Sequence, residues 1–145
     1  MGLGAAQRWA PRLLSVLRIV NAFLFMAHGA QKLLGFPTPM TSPPALFSLI
    51  GLAGTLELVG GGLLLVGLFT RPVAFILSGE MAFAYFMAHA GQGFWPLLNR
   101  GELAALYCFV FLYLAAAGGG PWSLDHAARS RRKAPRLKTR NCWQC

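Results

Sequence analysis

The chain predicts an all-α fold, an integral membrane four-helix bundle. Composition is the first reason: 56% of its residues are hydrophobic and only 12% are charged, where soluble domains carry about 25% charged residues. Its mean hydropathy is +0.53. Patterning is the second: the apolar residues fall into four runs, 13–34, 45–69, 73–90 and 103–117. A helix needs roughly 20 apolar residues to span a bilayer, and each run reaches or approaches that. The third is backbone chemistry, because helices satisfy their own N–H and C=O groups in hydrocarbon. Four spans consume most of the 145 residues, leaving no room for a soluble catalytic domain.

Taken in order, span one follows Arg8 and Arg12 and stops at Gly35, where Phe36-Pro-Thr-Pro and Ser42-Pro-Pro break any helix. Basic residues ahead of an apolar stretch, with small residues near Gly29, also outline a signal peptide. Arg18 inside the run and Lys32 after it favour a retained span. Span two ends at a tight turn, Thr70-Arg71-Pro72, and Pro72 suits the first turn of span three. Residues 91–101 form the next loop, and Phe94-Trp95-Pro96 belongs in an interfacial aromatic belt. Gly118-Gly-Gly-Pro121 ends span four, and Trp122 marks the other interface.

Charge sets the expected orientation. Arg8, Arg12, Arg71 and seven basic residues between Arg129 and Arg140 fall on one side, against Lys32 and Arg100 on the other. The positive-inside rule puts both termini in the cytoplasm. The chain divides into a cytoplasmic segment 1–12, a membrane domain 13–125 and a basic tail 126–145, expected to be disordered and drawn to anionic lipid. A juxtamembrane basic run is a topology anchor far more often than a nucleic-acid contact, so no nucleic-acid partner is expected. Cys142-Trp-Gln-Cys145 is a CxxC at the end of that tail. One CxxC is half a zinc site, so no metal is assigned, and Cys108 is read as packing.

Spans one and three share an echo: Phe25-Met-Ala-His28-Gly-Ala-Gln31 matches Phe86-Met-Ala-His89-Ala-Gly-Gln92 at five of seven positions. The bundle is therefore read as two helical hairpins that could be repeats, as in parallel transporter repeats.

Three of the four carboxylates, Glu57, Glu80 and Glu102, lie in or beside apolar runs, where an ionisable group costs at least about 2.5–3.5 kcal/mol. Arg18, Asn21, Phe25, His28 and Lys32 recur at helical spacing and draw one stripe down span one. Ala53, Gly54, Gly60 and Gly61 flank Glu57, which places it at a close helix–helix contact. Counting from the cytoplasmic ends at about 1.5 Å per residue, Arg18 and Glu80 come out near 8 and 12 Å, Glu57 and His28 near 20 and 22 Å. Arg18 with Glu80 is thus expected to be a structural pair, and Glu57 with His28 a proton or quinone site. Lys32, Tyr85, His89 and Glu102 are further candidates toward the outer boundary. His28 and His89 at similar depth also admit a haem, the weaker reading, since no CxxCH motif accompanies them.

His28-Gly-Ala-Gln-Lys32, Gly54-Thr-Leu-Glu57-Leu-Val-Gly-Gly61 and Gly67-Leu-Phe-Thr-Arg71-Pro72 form an ordered set with Glu80-Met-Ala-Phe-Ala-Tyr85, Asn99-Arg-Gly-Glu102 and Gly120-Pro-Trp-Ser-Leu-Asp125. In that order they resemble the DoxX family of small bacterial four-span membrane proteins, over roughly residues 13–125. Arg100 stands where the family pattern has a small residue, and the tail has no counterpart. The family is related to DoxD, the membrane subunit of thiosulfate:quinone oxidoreductase. The resemblance therefore implies a membrane subunit of a quinone-linked redox system, with quinone as cofactor and a soluble redox partner or a homo-oligomer. A non-enzymatic scaffold or a small-solute or proton permease is the alternative. Fold alone carries no reaction, so substrate and enzyme status stay open on the sequence.

Overall fold

The computed structural model describes residues 3–40 and 44–133. Among these residues there are five α-helices and no strand. Helix α1 covers Leu3–Leu34, α2 Leu49–Val66, α3 Thr70–Ala84, α4 Glu102–Ala117 and α5 Leu124–Lys133. α3 runs on through a π-type turn, Tyr85–His89, and a 3-10 turn, Ala90–Gln92. α1 packs along α2, α3 along α4, and α2 joins the two hairpins by meeting α3.

Three helical stretches, Gln7–Leu34, Leu49–Val66 and Thr70–Gln92, are long and apolar enough to cross a membrane. α4 is apolar but has only 16 residues, a rise of about 24 Å. Their outward faces are hydrocarbon-like: Phe23, Leu24, Phe75, Ile76 and Phe109 are all exposed. The segment before residue 13 is helical from Leu3, with Pro11 inside the helix and the Arg12 guanidinium 5.3 Å from the Trp9 ring centre. The tail expected to be disordered is helical to Lys133, because the Ser123 hydroxyl caps it by accepting from the His126 N–H at 3.2 Å. Asp125 in its first turn and basic residues toward its end suit the helix dipole. The remainder of the tail, with Cys142 and Cys145, lies outside the described residues.

The α1–α2 seam is glycine-built. A Cβ on Gly29 would sit 2.5 Å from the Leu58 nitrogen and 2.7 Å from the Gly54 oxygen, so only hydrogen fits there. The core beside the seam is aromatic: Phe25 meets Phe111 edge-on at 4.8 Å, and Tyr107 stacks on Phe111 at 5.5 Å.

One end of the bundle carries the α2–α3 turn and the loop from α4 to α5. Arg18 is fully buried there. Its Nε donates to the Gly119 carbonyl at 2.9 Å, one terminal nitrogen to those of Leu64 and Leu65, and the other to Trp122 at 2.6 Å. The expected Arg18–Glu80 pair does not form. Arg18 is instead consumed by the carbonyls at the C-terminal end of α2, which carry partial negative charge and have few partners inside the helix. Asp125 makes the complementary contact, accepting from the Phe69 and Thr70 N–H groups at 2.9 and 2.8 Å, where α3 begins. Burial pushes the Asp125 carboxyl up, but these backbone donors and nearby Arg129 outweigh it and hold it below its ordinary 3.8.

Each buried acceptor left without a donor costs about 1–3 kcal/mol, so Arg18→Met should sharply lower the melting temperature in detergent, with Arg18→Lys recovering part of the loss. A melting temperature unchanged in Arg18→Met would refute this clamp. For Asp125 the lowered folded value means a contribution present above the ordinary value of 3.8 and lost as pH falls through the folded one. Melting of Asp125→Asn should therefore lie below wild type at neutral pH, the gap closing in acid. A gap that widens in acid would contradict the assignment.

Candidate functional site

The other end of the bundle holds a cavity of about 270 Å³ between the two hairpins. α1 supplies Phe25, His28 and Lys32, α2 supplies Glu57, and α4 supplies Tyr107, while His89 and Arg100 enter from the end of α3 and the loop after it. Helical spacing explains the α1 set, since positions 25, 28 and 32 lie on one face. Glu57 projects where the glycine seam draws α1 and α2 together, and is 3% exposed.

Glu57 is bridged, but not by His28. Its Oε1 accepts from Lys32 Nζ at 2.5 Å, the one ion pair among the described residues. Helical rise fixes the depth of Cα atoms and not the reach of side chains. A lysine stem reaches well over a helical turn, and the Lys32 Cβ lies against Gly54, one turn from Glu57. His28 packs edge-on against Tyr107 at 6.2 Å and stays within electrostatic reach of Glu57. Glu57 Oε2 is buried without a hydrogen-bond partner among the described residues.

Glu80 is the second intramembrane acid, half-buried as a residue but with both carboxylate oxygens buried and without a partner among the described residues. Gly60 of α2 meets Leu77 of α3. With these helices antiparallel, the next turn toward the cavity opposes Glu57 to Glu80 and Met81. Met81 lines the cavity, and Glu80 lies just behind it, within electrostatic reach of Glu57 and Lys32.

The remaining candidates divide. His89 lines the cavity, its Nδ1 2.9 Å from the Asn99 carbonyl. Tyr85 stands beside it, ring centres 6.4 Å apart, as a wall of the loop rather than of the cavity. Glu102 is exposed and faces a separate groove with Arg100 and Leu103. Three participants went unassigned from sequence. Tyr107 sat in an apolar run with nothing to mark it. Arg100 entered only as a loop charge and as a departure from a small residue. The structure explains both the expectation and the departure, since its φ is +58° and its side chain lines the cavity. Asn99 is fully buried, donating to the Gly93 carbonyl at 2.8 Å and accepting the Gly101 N–H at 2.8 Å. A Cβ on Gly101 would lie 2.6 Å from the Tyr85 ring, so this turn holds Arg100 in place only with glycine beside it.

The cavity is a basic-rimmed chamber holding one ion-paired acid, with a floor of Phe25 and Tyr107 backed by Phe111. It offers N–H and O–H donors to a small polar head and a carboxylate and imidazoles for proton exchange. The two histidines of the sequence echo converge on it, although one sits in a regular helix and the other ends a π-type turn.

The DoxX family model matches residues 13–90. The chain belongs to the DoxX family. A Haemophilus influenzae protein of uncharacterized function is 47% identical over 125 residues, covering 83% of this chain and 93% of that protein. An uncharacterized membrane protein of Mycobacterium tuberculosis is 31% identical, covering 90% of this chain and 94% of its own length. This DoxX protein matches no solved structure. The second relative is named as a membrane protein, and neither name brings a reaction.

Breaking one partner of a buried ion pair costs about 3–5 kcal/mol, while replacing both can be nearly neutral. Lys32→Met should therefore destabilise this DoxX protein toward the low end of that range, Lys32 being 27% exposed, and adding Glu57→Leu should restore much of the loss. Glu80→Met removes two unpartnered oxygens and should leave melting unchanged or raise it. Strict additivity in the Lys32/Glu57 cycle, or a marked loss in Glu80→Met, would contradict these assignments.

Proposed function

We propose that this DoxX-family protein is the membrane subunit of a quinone-linked redox system, with the cavity taking the quinone head. The observation carrying this reading is the convergence of Lys32, Arg100, His28, His89 and Tyr107 on one small chamber around Glu57. A quinone head has two carbonyl oxygens that need donors and takes up two protons when two electrons reduce it to the quinol. Lys32, Arg100 and Tyr107 supply donors, imidazole suits a proton relay, and Glu57 stands between them. Electrons come from a soluble redox partner, as the chain holds no redox centre in this scheme. The packed rings of Phe25, Tyr107 and Phe111 support binding over permeation, because they give a flat ligand an aromatic face and put bulk where a water path would run.

In the same reading α4 completes a four-span bundle in the bacterial inner membrane, with both termini cytoplasmic. Its support is that Arg71 and Arg129 gather at the end opposite Lys32 and Arg100. In an otherwise cysteine-free protein, Ser130→Cys should resist labelling from the periplasm. Labelling there reverses the orientation.

Glu57→Gln keeps shape and hydrogen bonding while removing the titratable proton. It should fold and still bind a short-chain quinone analogue, yet lose about a hundredfold in quinone reduction in membranes, the scale of a general acid–base group. Wild-type protein that binds no quinone analogue would reject the ligand class. Full activity in Glu57→Gln would reject the site and favour a scaffold.

A further inference from the structure

The opposite end of the bundle contains a second polar cavity, of about 240 Å³, that the redox reading does not use. Arg71 from the first turn of α3 lines it, with His126 and Arg129 from α5 and the Gly118–Gly120 loop that follows α4. His126 and Arg129 are adjacent on one side of α5, being three residues apart. Arg71 folds over the loop, its Nε 3.5 Å from where a Cβ on Gly118 would stand. Neither arginine is in an ion pair among the described residues. Asp125 also lines the cavity, but its two oxygens are occupied by the Phe69 and Thr70 N–H groups. Gly119 and Gly120 make no backbone hydrogen bond as donors to the described residues, and Gly118 and Gly120 have φ of +88° and +73°. The cavity therefore offers two guanidinium forks, an imidazole and a glycine backbone, with its one acid already satisfied.

Its depth identifies the ligand class. Trp9, Phe69 and Trp122 are all exposed at this end, and aromatic residues of this kind mark the headgroup level of a bilayer. Ala117 and Pro121 give the cavity an apolar shoulder. Arginine forks match phosphate oxygens in pairs. We propose that this cavity is a binding site for the phosphodiester head of an anionic phospholipid. A zwitterionic head would bring its own cation against Arg71 and Arg129, so the site discriminates by headgroup charge. Held there, the lipid ties α3 to α5 and the loop between α4 and α5. This differs from diffuse attraction of the basic tail, because it depends on two arginines and not on total charge.

The test uses the full-length protein in a neutral detergent, titrated with dioctanoyl phosphatidylglycerol, dioctanoyl phosphatidylcholine or inorganic phosphate. Phosphatidylglycerol should bind saturably, phosphatidylcholine much more weakly, and phosphate at equal concentration should not displace the lipid. Arg71→Gln with Arg129→Gln should weaken binding by about tenfold or more, the scale of one lost charge-assisted contact, with melting unchanged. Arg71→Lys with Arg129→Lys keeps the charge but not the forks and should fall between. Arg136→Gln, Lys138→Gln and Arg140→Gln together should leave the affinity near wild type. The proposal is overturned by wild-type affinity in the Arg71/Arg129 double variant or by equal binding of the two lipids. Loss of binding in the tail variant overturns it as well, as does displacement by phosphate, which would mark a free-anion site.

Discussion

A guanidinium that never loses its charge lies with no exposed surface inside an apolar bundle, and the geometry of one end follows from satisfying it. Among the described residues no carboxylate pairs with Arg18 directly, although Asp125 lies within electrostatic reach. Arg18 is held by the carbonyls of Leu64, Leu65, Gly119 and Trp122, two of them at the negative end of the α2 dipole. The requirement reaches across the chain. The Gly118–Gly120 loop must bring carbonyls to α1, and Gly67 must keep out of the way, since a Cβ there would lie 3.0 Å from the Arg18 guanidinium carbon. Asp125 repeats the logic with opposite sign at the start of α3. Helix ends that lipid could not solvate are thereby closed by side chains from elsewhere in the sequence.

The opposite end is governed by imbalance. Among the described residues Glu57 has Lys32 for one oxygen and no partner for the other, and Glu80 has none for either. Arg18 could have been spent on these acids but is not. The bundle thus separates a charge held by four carbonyls, at the clamp, from acids with unpartnered oxygens next to a cavity. Such an arrangement is costly for stability alone, and intramembrane acids that remain under that cost are where chemistry is expected.

Much of this was legible in the sequence, and the failures share a cause. The helices, their order, the breaks at Gly35 and Gly118, and the family are all carried by local signals: apolar run length, glycine, proline and ordered motifs. The α2–α3 turn, expected at Thr70–Pro72, falls instead at Gly67–Phe69, where Gly67 takes the left-handed conformation, and Thr70–Pro72 opens α3. The stripe holding His28 and Lys32 was likewise set by helical spacing. Partner choice was not, because depth along an axis says nothing of rotation about it or of side-chain reach. Arg18 found carbonyls that no residue-type argument lists as partners, and Lys32 displaced His28 at Glu57 by the length of its stem. Arg100 and Tyr107 come to the cavity through a left-handed turn and a hairpin register, both tertiary facts. The helicity of α5 was missed because its basic composition was weighed above its Ser123 cap.

The contact between Gly54 and Lys32 links two properties that are usually discussed apart. The Lys32 Cβ lies 3.0 Å from where a Gly54 Cβ would stand, and Gly54 is one turn from Glu57 on the same helix. The missing side chain therefore acts as a spacer of zero thickness, and interhelical distance sets how far an ammonium must stretch to meet its carboxylate. Even a single methyl group at this point would be an electrostatic change written in steric terms. It would move no charged residue in the sequence, yet it would retune the field inside the chamber.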